Sequence, residues 1–285
     1  MNEALLKGAN VIVQGITGAH GAFHAAAMKA SGTNVIAGTS PSRIGETIDG
    51  IPVYASISDI QAEHRIDTSV VFVPARFAKG ALLEAIAAEI PLIVCITEGI
   101  PLHDMLVVTN ALKEKGRSQL IGPNCPGILL PGNNKLGIIP AHLSLQGSVG
   151  VVSRSGTLTY EAMDGLTRRG IGQKYIIGIG GDRIAGTSFI DCLALFENDP
   201  DVDKIVMIGE IGGTGELDAA NYIKQHVTKP VYAYITGHDA PTGVQLGHAG
   251  AILQSADESA VAKTEYLAEN GAFTATSISQ LIRMI

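Results

Sequence analysis

The chain has 285 residues, 46% hydrophobic and 16% charged, which suits two ordinary domains with buried cores and argues against disorder. A formal net charge of -7 leaves no basic stripe for nucleic acid or an anionic membrane, and 5% aromatics without Trp disfavours base stacking. Three cysteines, Cys95, Cys125 and Cys192, are too few and too odd in number for a disulfide framework and fit a reducing compartment.

The N-terminus, residues 1–7, lacks the apolar stretch of a signal peptide, and the first strand is expected at once, over 10–16. A bacterial cytoplasm is therefore the expected location, or the mitochondrial matrix for a processed chain. No apolar run approaches the roughly 18 residues that cross a bilayer, so no membrane is expected as a partner. Further strands are predicted over 34–39, 68–73, 92–97 and 119–121, with a helix over 76–89 in which Phe77, Leu82 and Ile86 recur at helical spacing. Around 123–148 prolines and glycines interrupt the pattern. Strands resume over 149–153, 175–179, 204–208 and 230–235, and a helix follows over 257–270. Alternating strands and helices predict an α/β chain in two units, 1–125 and 148–285, joined by a linker over 126–147.

In the first unit, Gly15-Ile16-Thr17-Gly18-Ala19-His20-Gly21 follows a strand and opens a helix, so its backbone N–H groups could meet a pyrophosphate. The spacing is G-x-x-G-x-x-G, not the dinucleotide fingerprint. The second strand ends in Gly38-Thr39-Ser40 with no acid for a ribose hydroxyl, and Arg43 follows instead, a cation suited to the ribose phosphate of NADP or coenzyme A. Val73-Pro74 and Ile96-Thr97-Glu98 lie at carboxyl ends of predicted strands, where open α/β sheets bind ligands, although either could be ordinary loop. His20 and His24 share a helix face, but no third ligand accompanies them and no metal site is expected.

In the second unit, Ser153-Arg154-Ser155-Gly156-Thr157 passes from a strand into a helix, gathering free N–H groups and hydroxyls around an anion. A serine nucleophile is the competing view, but Val151 stands where a G-x-S-x-G elbow around Ser153 needs glycine; a merely well-capped helix accounts for the Ser and Thr but leaves Gly156 and Arg154 without a task. Glu210 ends an apolar strand before Gly212-Gly213, and His248 lies in Gly247-His248-Ala249-Gly250-Ala251 among residues too small to crowd it. A carboxylate on one imidazole nitrogen leaves the other free to attack phosphorus, so the three segments together suggest a phosphoryl group carried on His248. Cys125, in Gly122-Pro123-Asn124-Cys125-Pro126-Gly127, has no evident base and reads as structural.

With these motifs in order, the sequence closely resembles the α-subunit family of succinyl-CoA synthetase, also called succinate–CoA ligase. The likeness runs over nearly the whole chain, through Gly15-Ile16-Thr17-Gly18, Ile96-Thr97-Glu98-Gly99-Ile100-Pro101, the Gly122–Gly127 run, Ser153–Glu161, Gly209-Glu210-Ile211-Gly212-Gly213 and Gly247–Ala251. The resemblance implies an N-terminal Rossmann-like CoA-binding domain followed by a flavodoxin-like ligase domain. It implies CoA contacts at Thr17, Gly18, Ala19, His20, Arg43, Val73, Pro74, Ile96, Thr97 and Glu98. Tyr160 and Asn124 would face substrate or phosphate, the backbone of Ser155, Gly156 and Thr157 would hold phosphohistidine 248, and Glu210 would be its partner. The same resemblance implies a β subunit, in an αβ or α2β2 assembly, that supplies ATP or GTP with Mg2+ and part of the dicarboxylate site.

Several segments depart from the family. The turn after the second strand is Ser40-Pro41-Ser42-Arg43, where the family has a Gly- and Lys-rich turn. Gly181-Asp182-Arg183, Gly243-Val244-Gln245-Leu246 and the stretch from Gln254 to Lys263 look more like ATP-citrate lyase. The resemblance to succinate–CoA ligase makes succinate the expected acid, and these departures bring in citrate or malate as alternatives. A non-catalytic CoA-sensing module and a hydrolase using Ser155 with His248 and Glu210 are the competing classes.

Overall fold

The computed structural model describes residues 3–6, 10–241, 243, 245 and 247–285. Of the positions singled out above, Met1, Asn2, Lys7, Val244 and Leu246 lie outside the described residues.

After a short helix α1 (Glu3–Leu6), the first sheet is built from β1 (Val11–Gln14), β2 (Val35–Thr39), β3 (Thr47–Ile48), β4 (Ile51–Tyr54), β5 (Thr68–Val71), β6 (Leu92–Cys95) and β7 (Gln119–Ile121). Helices α2 (Ala19–Ala30), α3 (Ile57–Gln61), α4 (Ala75–Ala87) and α5 (Leu102–Lys115) connect them. The spatial order is β3-β4-β2-β1-β5-β6-β7, parallel except for the β3–β4 pair. Without the β3 edge this is the Rossmann order 3-2-1-4-5-6, whose switch point falls between β1 and β5. Both central strands are buried along their length, Val11 to Gln14 and Thr68 to Val71 alike, as a parallel sheet covered on two faces requires.

The second sheet contains β8 (Gly127–Leu130), β9 (Asn134–Gly137), β10 (Gln146–Ser153), β11 (Gln173–Gly178), β12 (Lys204–Glu210), β13 (Val231–Thr236) and β14 (Phe273–Ala275). Its helices are α6 (Gly156–Arg168), α7 (Phe189–Asn198), α8 (Gly215–His226), α9 (Ala260–Glu269) and α10 (Ile278–Met284). The order is β14-β13-β12-β10-β11-β8-β9. From β10 onward the strands stand as 2-1-3-4-5, the flavodoxin-like order, with a switch point between β10 and β12.

The segment 126–147, expected as a linker, instead carries a hairpin of this sheet. Ile128 pairs antiparallel with Leu136, and β8 pairs with β11 through Leu129 and Ile176. Its glycines misled the reading because Gly127 and Gly137 sit opposite each other within the ladder rather than in a loop. The helix expected over 76–89 is α4, but Phe77 turns outward, 54% exposed beneath the Arg76 guanidinium, while Ala78, Leu82, Ala85 and Ile86 face the core. The helix expected over 257–270 begins later: Ser259 caps α9 by accepting from the Ala262 N–H at 3.2 Å, and a single 3-10 turn precedes it.

Residues 120–124 and 180–187 tie the carboxyl ends of the two sheets together. The Asn124 N–H donates to the Thr97 carbonyl at 2.9 Å, Gly181 N–H to the Asn124 carbonyl at 3.3 Å, and Gly186 N–H to the Gly122 carbonyl at 2.9 Å. Thr187 Oγ1 donates to the Leu120 carbonyl at 2.6 Å. The carboxyl ends of the two sheets are thus joined by backbone bonds from Gly181 and Gly186 and by the Thr187 hydroxyl.

Candidate active site

At the first switch point the chain leaves β1 through Gly15 and enters α2 at Ala19, with Gly18 in the N-cap position and no side chain capping the helix. Free N–H groups at an uncapped helix start suit an anion. Gly21 lets the turn close: a Cβ there would lie 2.2 Å from the Gly15 carbonyl oxygen. Gly18, Ala19 and His20 are exposed, and Thr17 Oγ1 donates to Ser40 Oγ at 2.8 Å, joining the turn to the end of β2. A cavity of about 270 Å³ opens beside it, lined by His20, His24, Val73, Pro74, Ile96, Thr97 and Glu98 among others. Nine of the ten residues expected to meet CoA thus lie on the turn or on the cavity wall, and His20 belongs to both. Arg43 stands apart on its own loop, exposed and paired with Glu46 at 2.5 Å.

His24, also on the cavity wall, is stacked on Phe72, and burial is the main reason its pKa falls to about 4. It is neutral at physiological pH. Among the described residues no group of three or more His, Cys, Asp or Glu side chains is arranged to hold a metal ion.

At the second switch point, β12 ends in Glu210 and the loop after β13 carries His248. Glu210 Oε2 lies 2.5 Å from His248 Nδ1, and the carboxylate is buried. An ionised carboxylate only accepts, so the Nδ1 proton is fixed between them and the neutral ring keeps its lone pair on Nε2. The hydrogen bond that His248 donates to Glu210 is the largest influence on its pKa and raises it; burial and Arg154 oppose that rise, while the charges of Glu210 and of Glu98 from the first domain support it. Gly181 is required by close approach: a Cβ there would fall 2.2 Å from His248 Cγ.

Ser155 and Gly156 start α6 beside this pair in the sheet. Ser155 Oγ accepts from the Leu158 N–H at 3.3 Å, as an N-cap. No hydrogen bond joins Ser155 to His248 among the described residues, so the nucleophilic relay of a hydrolase is not assembled. Gly156 and the exposed Thr157 present the first turn's backbone. Tyr160, one turn further, has its hydroxyl pKa pushed up to about 12 by burial and remains a neutral donor. Asn124 is engaged elsewhere: its side chain donates to Asp182 Oδ1 at 3.0 Å. Cys125 is buried and donates to the Cys95 carbonyl at 3.2 Å, and burial pushes its thiol up and out of the nucleophilic range.

The Arg154 side chain, expected near an anion cradle, turns inward instead. Its Nε lies 3.2 Å from Glu210 Oε1 and its Nη1 3.6 Å from Glu216 Oε1. Glu216 and Lys263 are both fully buried here and were not anticipated. Their contacts span 47 residues of chain, and no local spacing announces them. The only available signal was the oddity of a lysine among the core-facing positions of α9.

The arrangement is that of an acyl-CoA-forming ligase chain, with a nucleotide-type turn on one sheet and a carboxylate–imidazole pair on the next. Family comparison agrees: the CoA binding domain family matches residues 7–99 and the CoA-ligase family residues 152–273. The chain belongs to the succinate–CoA ligase α-subunit family. It is 49% identical over 268 residues to the succinate–CoA ligase (ADP-forming) subunit alpha of Aquifex aeolicus, covering 94% of this chain and 88% of that one. It is 46% identical to subunit alpha 1 of Archaeoglobus fulgidus, covering 100% and 98%. Among solved structures, ATP citrate lyase from Methanothrix soehngenii in complex with citrate and coenzyme A superposes with a TM-score of 0.86 at 28% identity. That match covers 97% of this chain but only 48% of the longer lyase chain. No helix among the described residues is long and apolar enough to cross a membrane.

Proposed function

We propose that this chain is the α subunit of a succinate–CoA ligase, which forms succinyl-CoA reversibly from succinate, coenzyme A and a nucleoside triphosphate. The observation that carries the reading is the Glu210–His248 pair at the second switch point, with its Nε2 unpartnered among the described residues. Neutral His248 attacks the terminal phosphorus through Nε2, the P–O bond to the nucleoside diphosphate breaks, and Glu210 holds the Nδ1 proton and balances the charge that develops on the ring. A succinate carboxylate oxygen then takes the phosphoryl group as the P–N bond breaks. The CoA thiolate adds to the acyl carbon of succinyl phosphate and expels phosphate, leaving the thioester.

The labour divides between the two sheets. Residues 1–125 bind CoA through the Gly15–Gly21 turn, the cavity wall and Arg43, which reaches the ribose phosphate by leaving Glu46. The ligase unit, to which the 126–147 hairpin attaches, receives the phosphoryl dianion at the N-terminus of α6, with Tyr160 as a neutral donor. A β subunit, in an αβ or α2β2 assembly, brings ATP or GTP with Mg2+, which supplies charge neutralisation of the transferring phosphate. Agreement among the α-subunit relatives favours succinate over citrate or malate and favours an enzyme over a CoA sensor.

The test is to co-purify the chain with its β subunit, add nucleoside triphosphate labelled at the terminal phosphate, and compare the parent chain with His248→Asn. Base-stable, acid-labile label on the parent chain alone is expected, discharged by succinate with CoA and not by citrate or malate. A folded, nucleotide-binding complex that takes no label would overturn the mechanism, and discharge by citrate in place of succinate would change the acid.

A further inference from the structure

Behind the Glu210–His248 pair lies a row of buried charges that the reaction above does not use. Lys263, fully buried on α9, donates from Nζ to Glu216 Oε2 at 2.6 Å and to the carbonyls of Glu210 and Gly212, each at 2.8 Å. Glu216, fully buried in the first turn of α8, accepts the Glu210 backbone N–H on Oε1 at 3.1 Å. The same oxygen faces Arg154 Nη1, and Arg154 Nε faces Glu210 Oε1. The signs alternate from Lys263 through Glu216, Arg154 and Glu210 to the imidazole.

Such a row is costly to desolvate, and an apolar filling of the same volume would serve stability at least as well. What it does provide is a division of one guanidinium between two carboxylates. Arg154 can hold Glu210 only to the extent that Glu216 is neutralised by something else, and the only other cation bonded to Glu216 among the described residues is Lys263. We propose that Lys263 is a positioning residue for the phosphoryl-accepting imidazole: by neutralising Glu216 and pinning the Glu210 and Gly212 carbonyls, it keeps Arg154 on Glu210 and Glu210 on His248. The charged groups facing His248 are then Glu210 and Arg154 from its own domain and Glu98 from the other.

Opposite charges within a few ångströms move a pKa by about one unit or more, so the row has a signed signature. In Lys263→Met the uncompensated Glu216 draws Arg154 away from Glu210, and the His248 midpoint rises by about one unit. In Glu216→Gln the Lys263 ammonium is left without its carboxylate beside the Glu210 and Gly212 carbonyls, and the midpoint drops. The double variant Lys263→Met/Glu216→Gln returns close to the parent value, a rescue that lost packing alone would not produce.

The experiment follows the imidazole C–H signals of His248 against pH by NMR in the full chain, with His248→Asn for assignment. In parallel, the acid limb of phosphoryl labelling is measured in the heteromer. Opposite shifts with restoration in the double variant are expected. Unchanged midpoints, or single variants that move together, would overturn the proposal. If Lys263→Met does not fold, Glu216→Gln carries the sign alone, and the absence of its downward shift is equally decisive. The catalytic meaning rests on the phosphohistidine reading, but the titration does not: opposite shifts in a chain that never takes label would sink that reading and leave the positioning role standing.

Discussion

The two switch points do opposite things with polarity. At the first, the Gly15–Gly21 turn exposes Gly18, Ala19 and His20, and neutral groups make the links around it: Thr17 to Ser40 at the end of β2, and Ser69 to Gln14 between β5 and β1. At the second, Glu210, Glu216 and Lys263 are buried with Arg154 nearly so, and one imidazole emerges at the end of the row. A site that only binds an anion can rely on backbone N–H groups that cost nothing to keep wet. A site that must hold one proton on one nitrogen needs fixed charges away from water, where their orientation persists and their fields are strong.

Glu210→Gln attacks this contrast most directly. Labelling of His248 should fall by about 100-fold or more, because a carboxamide neither fixes the tautomer as firmly nor balances the charge on the ring. CoA binding by the first domain should be unchanged in calorimetry. The same variant sets the sign of the pH dependence. Glu210 raises the His248 pKa, so on the proposed route the imidazolium proton leaves at a higher pH than it would without the carboxylate. Without the carboxylate the acid limb of the labelling rate should move to lower pH as its plateau drops; an acid limb that stays put would show that another group governs it.

One added carbon at each switch point sharpens the comparison. Gly181→Ala would press on the His248 ring and should slow labelling by about 10- to 100-fold, in keeping with the cost of misplacing a reacting group by an ångström, with CoA affinity retained. Gly21→Ala would press on the Gly15 carbonyl and should do the reverse, weakening CoA binding by about tenfold while labelling proceeds. If both variants impaired both activities equally, the division of labour between the sheets would be wrong. The smallest effect is expected at the exposed Arg43. Arg43→Ala should raise the Kd for CoA about threefold, and the difference should fade as salt is added, because an exposed ion partner is screened.

Much of this was legible in the chain. Buried β-branched runs read correctly as strands because parallel strands covered on both faces are apolar throughout, and the motifs at their carboxyl ends fell where such sheets place ligands. Glu210 and His248 were nameable because glycines surround each, and small neighbours are a local signal. The hairpin of β8 and β9 was hidden by the glycines and prolines that usually mark loops. Phe77 took the wrong side of α4 because periodicity cannot tell a core face from an outward ring under a guanidinium.

The sequence by itself determined the alternation, the two sheet-forming halves and the candidate histidine, since all of these rest on residue types and spacings within a few positions. Tertiary structure alone decided which charges stand behind that histidine. Arg154, Glu216 and Lys263 come from the loop before α6, the first turn of α8 and the first turn of α9, and their partnership depends on how these elements meet at the end of β12. Electrostatic pairing acts through space, and nothing in the order of the chain records that distance.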